Sequence, residues 1–192
     1  MKELLLNYLK KHVQLSKEEE LALIETDIFL EVKKGEILLQ AGDISNNGYF
    51  VLKGLLRKYY VIDGEEKTTA FFSEETSYTP RCVVKGGTSE YYISAVEDTL
   101  ITTADSDLDM DFFNKFPKFE EVCRKVSSEQ LVAEQKALDE FKYTSPEKRY
   151  LSLLENKPEL LRRVPLGMLA SYLGITPQSL SRLRKRIVSI KH

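Results

Sequence analysis

Gln178, Ser179 and Arg182 stand close together in the run ITPQSLSRLRKRI, near the carboxyl end of a 192-residue chain. At helical spacing they project from one side of the first turns. Their types suit hydrogen bonding to base edges: glutamine pairs bidentately with adenine, arginine with guanine, and serine with several edges. Arg184, Lys185 and Arg186 follow, a cluster suited to phosphate oxygens. A solvated basic helix would also look polar here. The turn that precedes the run argues against that blander reading.

Two helices must hold these residues. The spacing predicts a first helix over 166–173, with Leu166, Leu169, Ala170 and Leu173 on one buried face. Gly174 follows where a left-handed turn is cheap only for glycine. Ile175 plugs the corner, Thr176 caps the second helix, and Pro177 occupies its first position, where no N–H is needed. Leu180, Leu183 and Ile187 form the buried face of that helix. Ala170 sits where the two helices cross most closely. This is a helix-turn-helix, with its polar N-terminal turns free to enter a DNA groove.

Charge is distributed to match. The chain has 28 Lys+Arg and 30 Asp+Glu, a net charge of −2, yet residues 142–192 carry 11 basic and 3 acidic side chains. A basic tail on an acidic body points to nucleic acid at one end only. The apolar fraction of 42% supports a real core. Cys82 and Cys123 are too few for a disulfide framework or a zinc site. His12 and His192, the only histidines, lie near opposite ends, which argues against a histidine metal centre and a Ser-His-Asp enzyme. No stretch approaches a membrane span or a signal peptide, so a cytoplasmic, non-enzymatic protein is expected.

Upstream, residues 1 to about 27 read as helical, with Ser16 and Glu19 as a capping box. Residues 28–103 switch to short β-branched and aromatic runs punctuated by glycine, with a hairpin at Asp63-Gly64. That texture predicts a small antiparallel barrel or sandwich. A long helix follows to about Tyr143, with Phe119, Val122, Val126, Ala133, Ala137 and Phe141 at helical spacing. Glu129 and Gln130 interrupt its apolar stripe. Such a helix either pairs with its twin in a dimer or packs back on its own barrel. Ser145-Pro146 opens another helix, which Asn156-Lys157-Pro158 stops.

This order resembles the CRP/FNR family of bacterial transcription regulators over essentially the whole chain. KKGEILLQAGD (33–43) followed by YFVLKGLLRKYY (49–60) is similar to the family's strand–glycine pattern, SAVEDTLI (94–101) to its later strand, and VPLGMLASYLGITPQSLSRLRKRI to its DNA-reading motif. The resemblance implies an α+β fold: an N-terminal antiparallel β-roll or barrel of the cyclic-nucleotide-binding type, a long dimerisation helix, and a C-terminal winged-helix-like helix-turn-helix domain. The expected bounds are 1–108, 109–143 and 144–192. The resemblance implies base contacts from Gln178, Ser179 and Arg182, and phosphate contacts from Thr176, Arg184, Lys185 and Arg186. The implied partners are double-stranded DNA, a second copy of the chain, RNA polymerase and an unknown small-molecule effector.

One departure bears on the effector. Family members that bind cyclic AMP carry a Gly-Glu pair and, ten residues after that Glu, an Arg that neutralises the cyclic phosphate. Aligned without gaps from SAVEDT, Tyr78 and Thr79 stand at the Gly-Glu positions and Ser89 at the Arg position. Desolvating a phosphate without a cation costs several kcal/mol, so the expectation is against cyclic AMP. Arg81 or Lys85 supplies the charge only if the alignment has gaps. Two cysteines are also too few for the iron–sulfur cluster of oxygen-sensing members, and no cofactor is expected. Phe72, Tyr78, Arg81 and Tyr91 are the candidate pocket residues, with barrel core as the competing role for the aromatic ones. Two other readings are a ligand-sensing barrel whose tail binds protein and not DNA, which leaves the basic tail unexplained, and a cupin-like enzyme, for which the barrel lacks histidine.

Overall fold

The computed structural model describes residues 1–105 and 112–190. Two short helices, α1 (Lys2–Lys10) and α2 (Lys17–Glu25), open the chain. The Ser16 hydroxyl accepts the Glu19 N–H at 3.2 Å, and the Glu19 carboxylate accepts the Ser16 N–H at 2.6 Å, so the expected capping box closes.

Eight strands follow: β1 (Phe29–Val32), β2 (Ile37–Leu39), β3 (Asn47–Lys53), β4 (Leu56–Ile62), β5 (Glu65–Phe72), β6 (Ser77–Tyr78), β7 (Tyr92–Ala95) and β8 (Thr99–Asp105). They form two antiparallel four-stranded sheets, ordered β1-β8-β3-β6 and β2-β7-β4-β5. Alternation along the strands sends Val32, Val51, Leu56, Ile93 and Ile101 inward to a common core. The β4–β5 hairpin pairs Ile62 with Glu65 across Asp63-Gly64, as the sequence predicts. Gly54, between β3 and β4, is forced by close approach: a Cβ there would lie 2.5–2.8 Å from Thr99 and the Asp98 carbonyl. A short helix, α3 (Arg81–Lys85), follows β6; neither element was legible in the sequence.

The expected boundary at 108/109 lies outside the described residues. The long helix α4 runs over Pro117–Tyr143, with Pro117 at its first turn. The two parts of its length are packed differently. Phe119 and Val122 pack with Leu5, Leu9, Leu23 and Leu52 in a cluster under α1 and α2. Further along, Leu131, Val132, Leu138 and Phe141 are about half exposed. Gln130, which interrupts the stripe, has a role of its own. Its Oε1 accepts from the Ser77 N–H and hydroxyl, both at 3.0 Å, while its Nε2 donates to the Ser77 carbonyl. One side-chain amide thus pairs with the outer edge of β6 as a neighbouring strand would.

Four helices follow among the described residues: α5 (Pro146–Asn156), α6 (Pro158–Arg163), α7 (Leu166–Leu173) and α8 (Pro177–Ile190). Ser145 caps α5 through the Lys148 N–H at 3.3 Å. The short α6 was not expected. Residues 144–190 contain no strand, so the likeness to a winged helix is confined to the helices among the described residues. Leu169, Ala170, Leu173 and Leu180 are at most 1% exposed, joined by Tyr150, Leu160, Val164, Leu183 and Ile187. Leu166 is a correction: at 37% exposure it does not join this face, because it sits on the first turn of α7 at the domain edge.

This helical unit is seated on the barrel. Leu55 and Val96 of the barrel share its core, and Phe71 meets Tyr172 edge to face at 5.3 Å. The Ser171 hydroxyl donates to the Glu66 carbonyl at 3.1 Å and accepts the Thr68 N–H at 2.9 Å. Arg163 forks onto two barrel carboxylates: Glu74 at 2.8 and 2.9 Å, and Glu97 at 2.6 and 3.1 Å. Burial alone would raise the Glu74 carboxyl, but Arg163 and the Gly54 N–H outweigh it and hold it below its ordinary value.

Candidate nucleic-acid interface

The corner between α7 and α8 forms as local chemistry dictates. Gly174 adopts φ 72° and ψ 31°, and its N–H closes onto the last turn of α7. Thr176 Oγ1 accepts the Ser179 N–H at 3.2 Å, which caps α8. Leu180, Leu183 and Ile187 face inward, which leaves Gln178, Ser179 and Arg182 exposed on the opposite side. The three lie together on the N-terminal turns, as the spacing predicts. An open groove of about 400 Å³ reaches Ser179 and Arg182, and is lined also by Pro146, Glu147, Ile175, Leu183 and Arg186.

The four expected phosphate contacts are not equivalent. Lys185 is exposed. Thr176 is exposed, and its hydroxyl is also 3.0 Å from the Ser179 hydroxyl. Arg184 is half-buried, with its guanidinium carbon 5.8 Å from the centre of the Tyr150 ring. Arg186 is paired with Glu147 at 2.6 Å. A basic run reads as uniform in sequence, whereas packing against α5 sorts its members.

Arg149 was missed. From α5 it donates to the Phe141 and Thr144 carbonyls at the end of α4, at 3.0 and 2.6 Å, and to the Leu173 carbonyl at the end of α7, at 2.9 Å. Its guanidinium also lies 4.2 Å from the centre of the Phe141 ring. One cation thus ties the carbonyl ends of two helices, where positive charge is favoured. It couples the long helix to the turn that aims α8. The only sequence signal would have been an arginine one turn after a cap, which is too common to single out.

In the barrel, the expected pocket residues come together but largely fill the space. Phe72 and Tyr91 are 4% and 1% exposed. Phe72 stacks on Tyr78 at 4.4 Å, and the Tyr78 and Tyr91 hydroxyls are bonded at 2.8 Å. Arg81 stands at the rim, bonded to the Tyr60 hydroxyl at 2.9 Å and the Glu90 carboxylate at 2.6 Å. A hollow of about 170 Å³ beside it is lined by Arg81, Cys82, Ser89, Glu90 and Tyr91, among others. No helix among the described residues is long and apolar enough to cross a membrane.

Comparison with known proteins agrees with this architecture. Residues 29–115 match the cyclic nucleotide-binding domain family. The fumarate and nitrate reduction regulatory protein of Vibrio cholerae is 22% identical over 179 residues, covering 83% of this chain and 70% of that protein. FixK2 from Bradyrhizobium japonicum has a similar fold, with a TM-score of 0.67 at 15% identity and 85% coverage of both chains. The catabolite activator protein of Thermus thermophilus aligns with a TM-score of 0.53 at 19% identity, covering 94% of this chain and 86% of that one. CRP/FNR regulators bind DNA and act as dimers. With a cyclic-nucleotide-type barrel, a long helix and a terminal helix-turn-helix in that order, the chain has the fold of the CRP/FNR transcription regulators.

Proposed function

We propose that the chain acts as a homodimer that binds a pseudo-palindromic DNA site and regulates transcription. The observation that carries this reading is the capped first turn of α8, with Gln178, Ser179 and Arg182 exposed together on a rigid scaffold. In this reading these three contact base edges, while Lys185 and Thr176 contact phosphate. Arg186 joins them if DNA displaces Glu147, and Arg184 acts mainly through packing on Tyr150. The exposed Leu131 and Leu138, seven residues apart on α4, supply the face on which two copies meet. Two recognition helices then enter successive major grooves about 34 Å apart. RNA polymerase is a further partner in this reading if the protein activates. The basic tail disfavours the alternative of a purely protein-binding one.

The barrel in this reading senses a small molecule other than cyclic AMP. Ser89, at the position of the family's phosphate-binding arginine, is 4% exposed, and its hydroxyl is bonded to the Tyr91 carbonyl at 2.7 Å. A neutral, already satisfied side chain there offers a phosphate nothing. Selection of bound sequences from a random DNA library tests the main reading. The expected product is a two-fold-related pair of half-sites about one helical turn apart. Enrichment of no sequence at all would sink it.

A further inference from the structure

The joint between the helical unit and the barrel is built on a strand edge. β5 ends its sheet, so among the described residues one side of its backbone has no strand beside it. Ser171 of α7 meets that side. Its hydroxyl accepts the Thr68 N–H at 2.9 Å and donates to the Glu66 carbonyl at 3.1 Å. A single hydroxyl does here what a residue of an adjacent strand would do. The barrel prepares the edge from beneath. Arg57 of β4 is 3% exposed, and its guanidinium carbon lies 4.2 Å from the centre of the Tyr59 ring. Its Nε donates to Thr68 Oγ1 at 2.8 Å and its Nη1 to the Glu66 carboxylate at 2.6 Å. One buried cation therefore fixes the side chains of the same two residues whose backbone groups receive Ser171.

Such a joint has mechanical work to do. Between α4 and α5 the chain runs through two extended residues, Thr144 and Ser145. Each has two soft dihedrals, so the covalent link alone leaves the helical unit free to turn. Three of its helices remove that freedom. Ser171 of α7 holds β5, Arg163 of α6 holds Glu74 and Glu97, and Arg149 of α5 ties the end of α7 to the end of α4. A core shared with Leu55 and Val96 backs these contacts. The direction of α8 is referred in this way to the barrel, and Gln130 refers the barrel to α4.

We propose that Ser171 and Arg163 are positioning residues that determine the half-site spacing the protein accepts on DNA. The proposal rests on the regulator reading: Gln178, Ser179 and Arg182 choose the bases, and the seating of α7 on the barrel chooses the spacer. One added base pair moves the second half-site by about 3.4 Å and turns it by about 35°. A rigidly seated unit does not follow that turn, so the DNA must deform or contacts must break.

Gel-shift affinities on the selected site, and on versions with one base pair inserted or removed at its centre, test this. The wild-type chain should lose about tenfold or more in affinity on insertion. In Ser171→Ala and in Arg163→Met that penalty should shrink by about threefold or more, the scale of one or two net hydrogen bonds. Discrimination against a substituted base inside a half-site should stay at the wild-type level. A merely damaged helical unit would lose that discrimination. Wild-type tolerance of the insertion overturns the proposal, a result that depends on no variant. A penalty unchanged in a variant with native circular dichroism overturns the role of the residue replaced, as does base discrimination lost together with spacing. Exchange of the Thr68 amide hydrogen, followed by nuclear magnetic resonance on the full chain, provides a readout without DNA. It should be protected in the wild type and exchange about tenfold or more faster in Ser171→Ala. A wild-type amide that exchanges as an open edge does overturns the seating and the proposal with it. A protected amide in a chain that selects no DNA sequence supports the seating and removes only the regulator reading.

Discussion

Arg163→Met removes the charged fork between the helix-turn-helix unit and the barrel while keeping most of the aliphatic stem. Arg163 is 20% exposed, and its carboxylate partners Glu74 and Glu97 are 39% and 36% exposed. Fully buried charged hydrogen bonds contribute about 1.5–3 kcal/mol each, and exposed pairs about 0.2–1 kcal/mol. The carboxylates are more than a third exposed, so water screens both pairs and about 1 kcal/mol for each is the appropriate scale. The expected loss is therefore about 2 kcal/mol. Urea denaturation followed by circular dichroism measures it; at an m-value of about 2 kcal/mol/M, the midpoint falls by about 1 M. A double-mutant cycle with Glu74→Gln should show about 1 kcal/mol of coupling. Acid provides an independent check. Glu74 titrates below its ordinary 4.5 in the folded chain. A depressed folded value means that its contribution is complete above about pH 4.5 and disappears as the pH falls through the folded value. The gap between wild type and variant should thus narrow in acid. A loss under about 0.5 kcal/mol, strict additivity in the cycle, or a gap constant down to pH 3 would each refute the reasoning.

Arg182→Ala should reduce discrimination at one base pair of the selected site by about 1–3 kcal/mol; equal weakening on every sequence in a competition gel shift would show that it reads no base. Lys185→Gln should weaken all sequences alike and reduce the slope of log affinity against log salt by about 0.9, and an unchanged slope would remove its phosphate role. Leu138→Glu buries a charge at the expected dimer face, so light scattering should give the mass of a single chain; a persistent dimer would place the interface elsewhere. Gly54→Ala drives a methyl group into Thr99 and the Asp98 carbonyl and should cost about 3 kcal/mol or more in thermal or chemical unfolding. A change under about 1 kcal/mol would mean that the β3–β4 connection yields easily.

The legible parts of this molecule are those specified locally. The bounds of α7, the left-handed Gly174, the Thr176 cap and Pro177 at the first position of α8 each depend on neighbours within four residues. The Ser16–Glu19 box and the Asp63-Gly64 turn have the same character. What escaped depends on distant partners. Nothing near Arg163 in the chain announces Glu74 or Glu97, and nothing near Arg186 announces Glu147. Arg149 acts through carbonyls that only the fold brings to it. The barrel aromatics were chosen by type, but sequence cannot separate a residue that lines a space from one that fills it. Phe72 and Tyr91 do the filling.

The grip of Gln130 on Ser77 fixes more than position. An amide that both donates to and accepts from one backbone residue tolerates little rotation, so it sets the azimuth of α4 about its own axis. Leu131 then lies about 100° round from the clasp, and Leu138 within about 20° of Leu131. The apolar seam is thereby aimed before any partner arrives. From Gln130 to the end of α4 is a lever of about 20 Å, so a small twist at the clasp becomes a sideways swing of the unit that carries α8. The spacing of the half-sites on DNA is, on this view, a length calibrated at the edge of a two-residue strand.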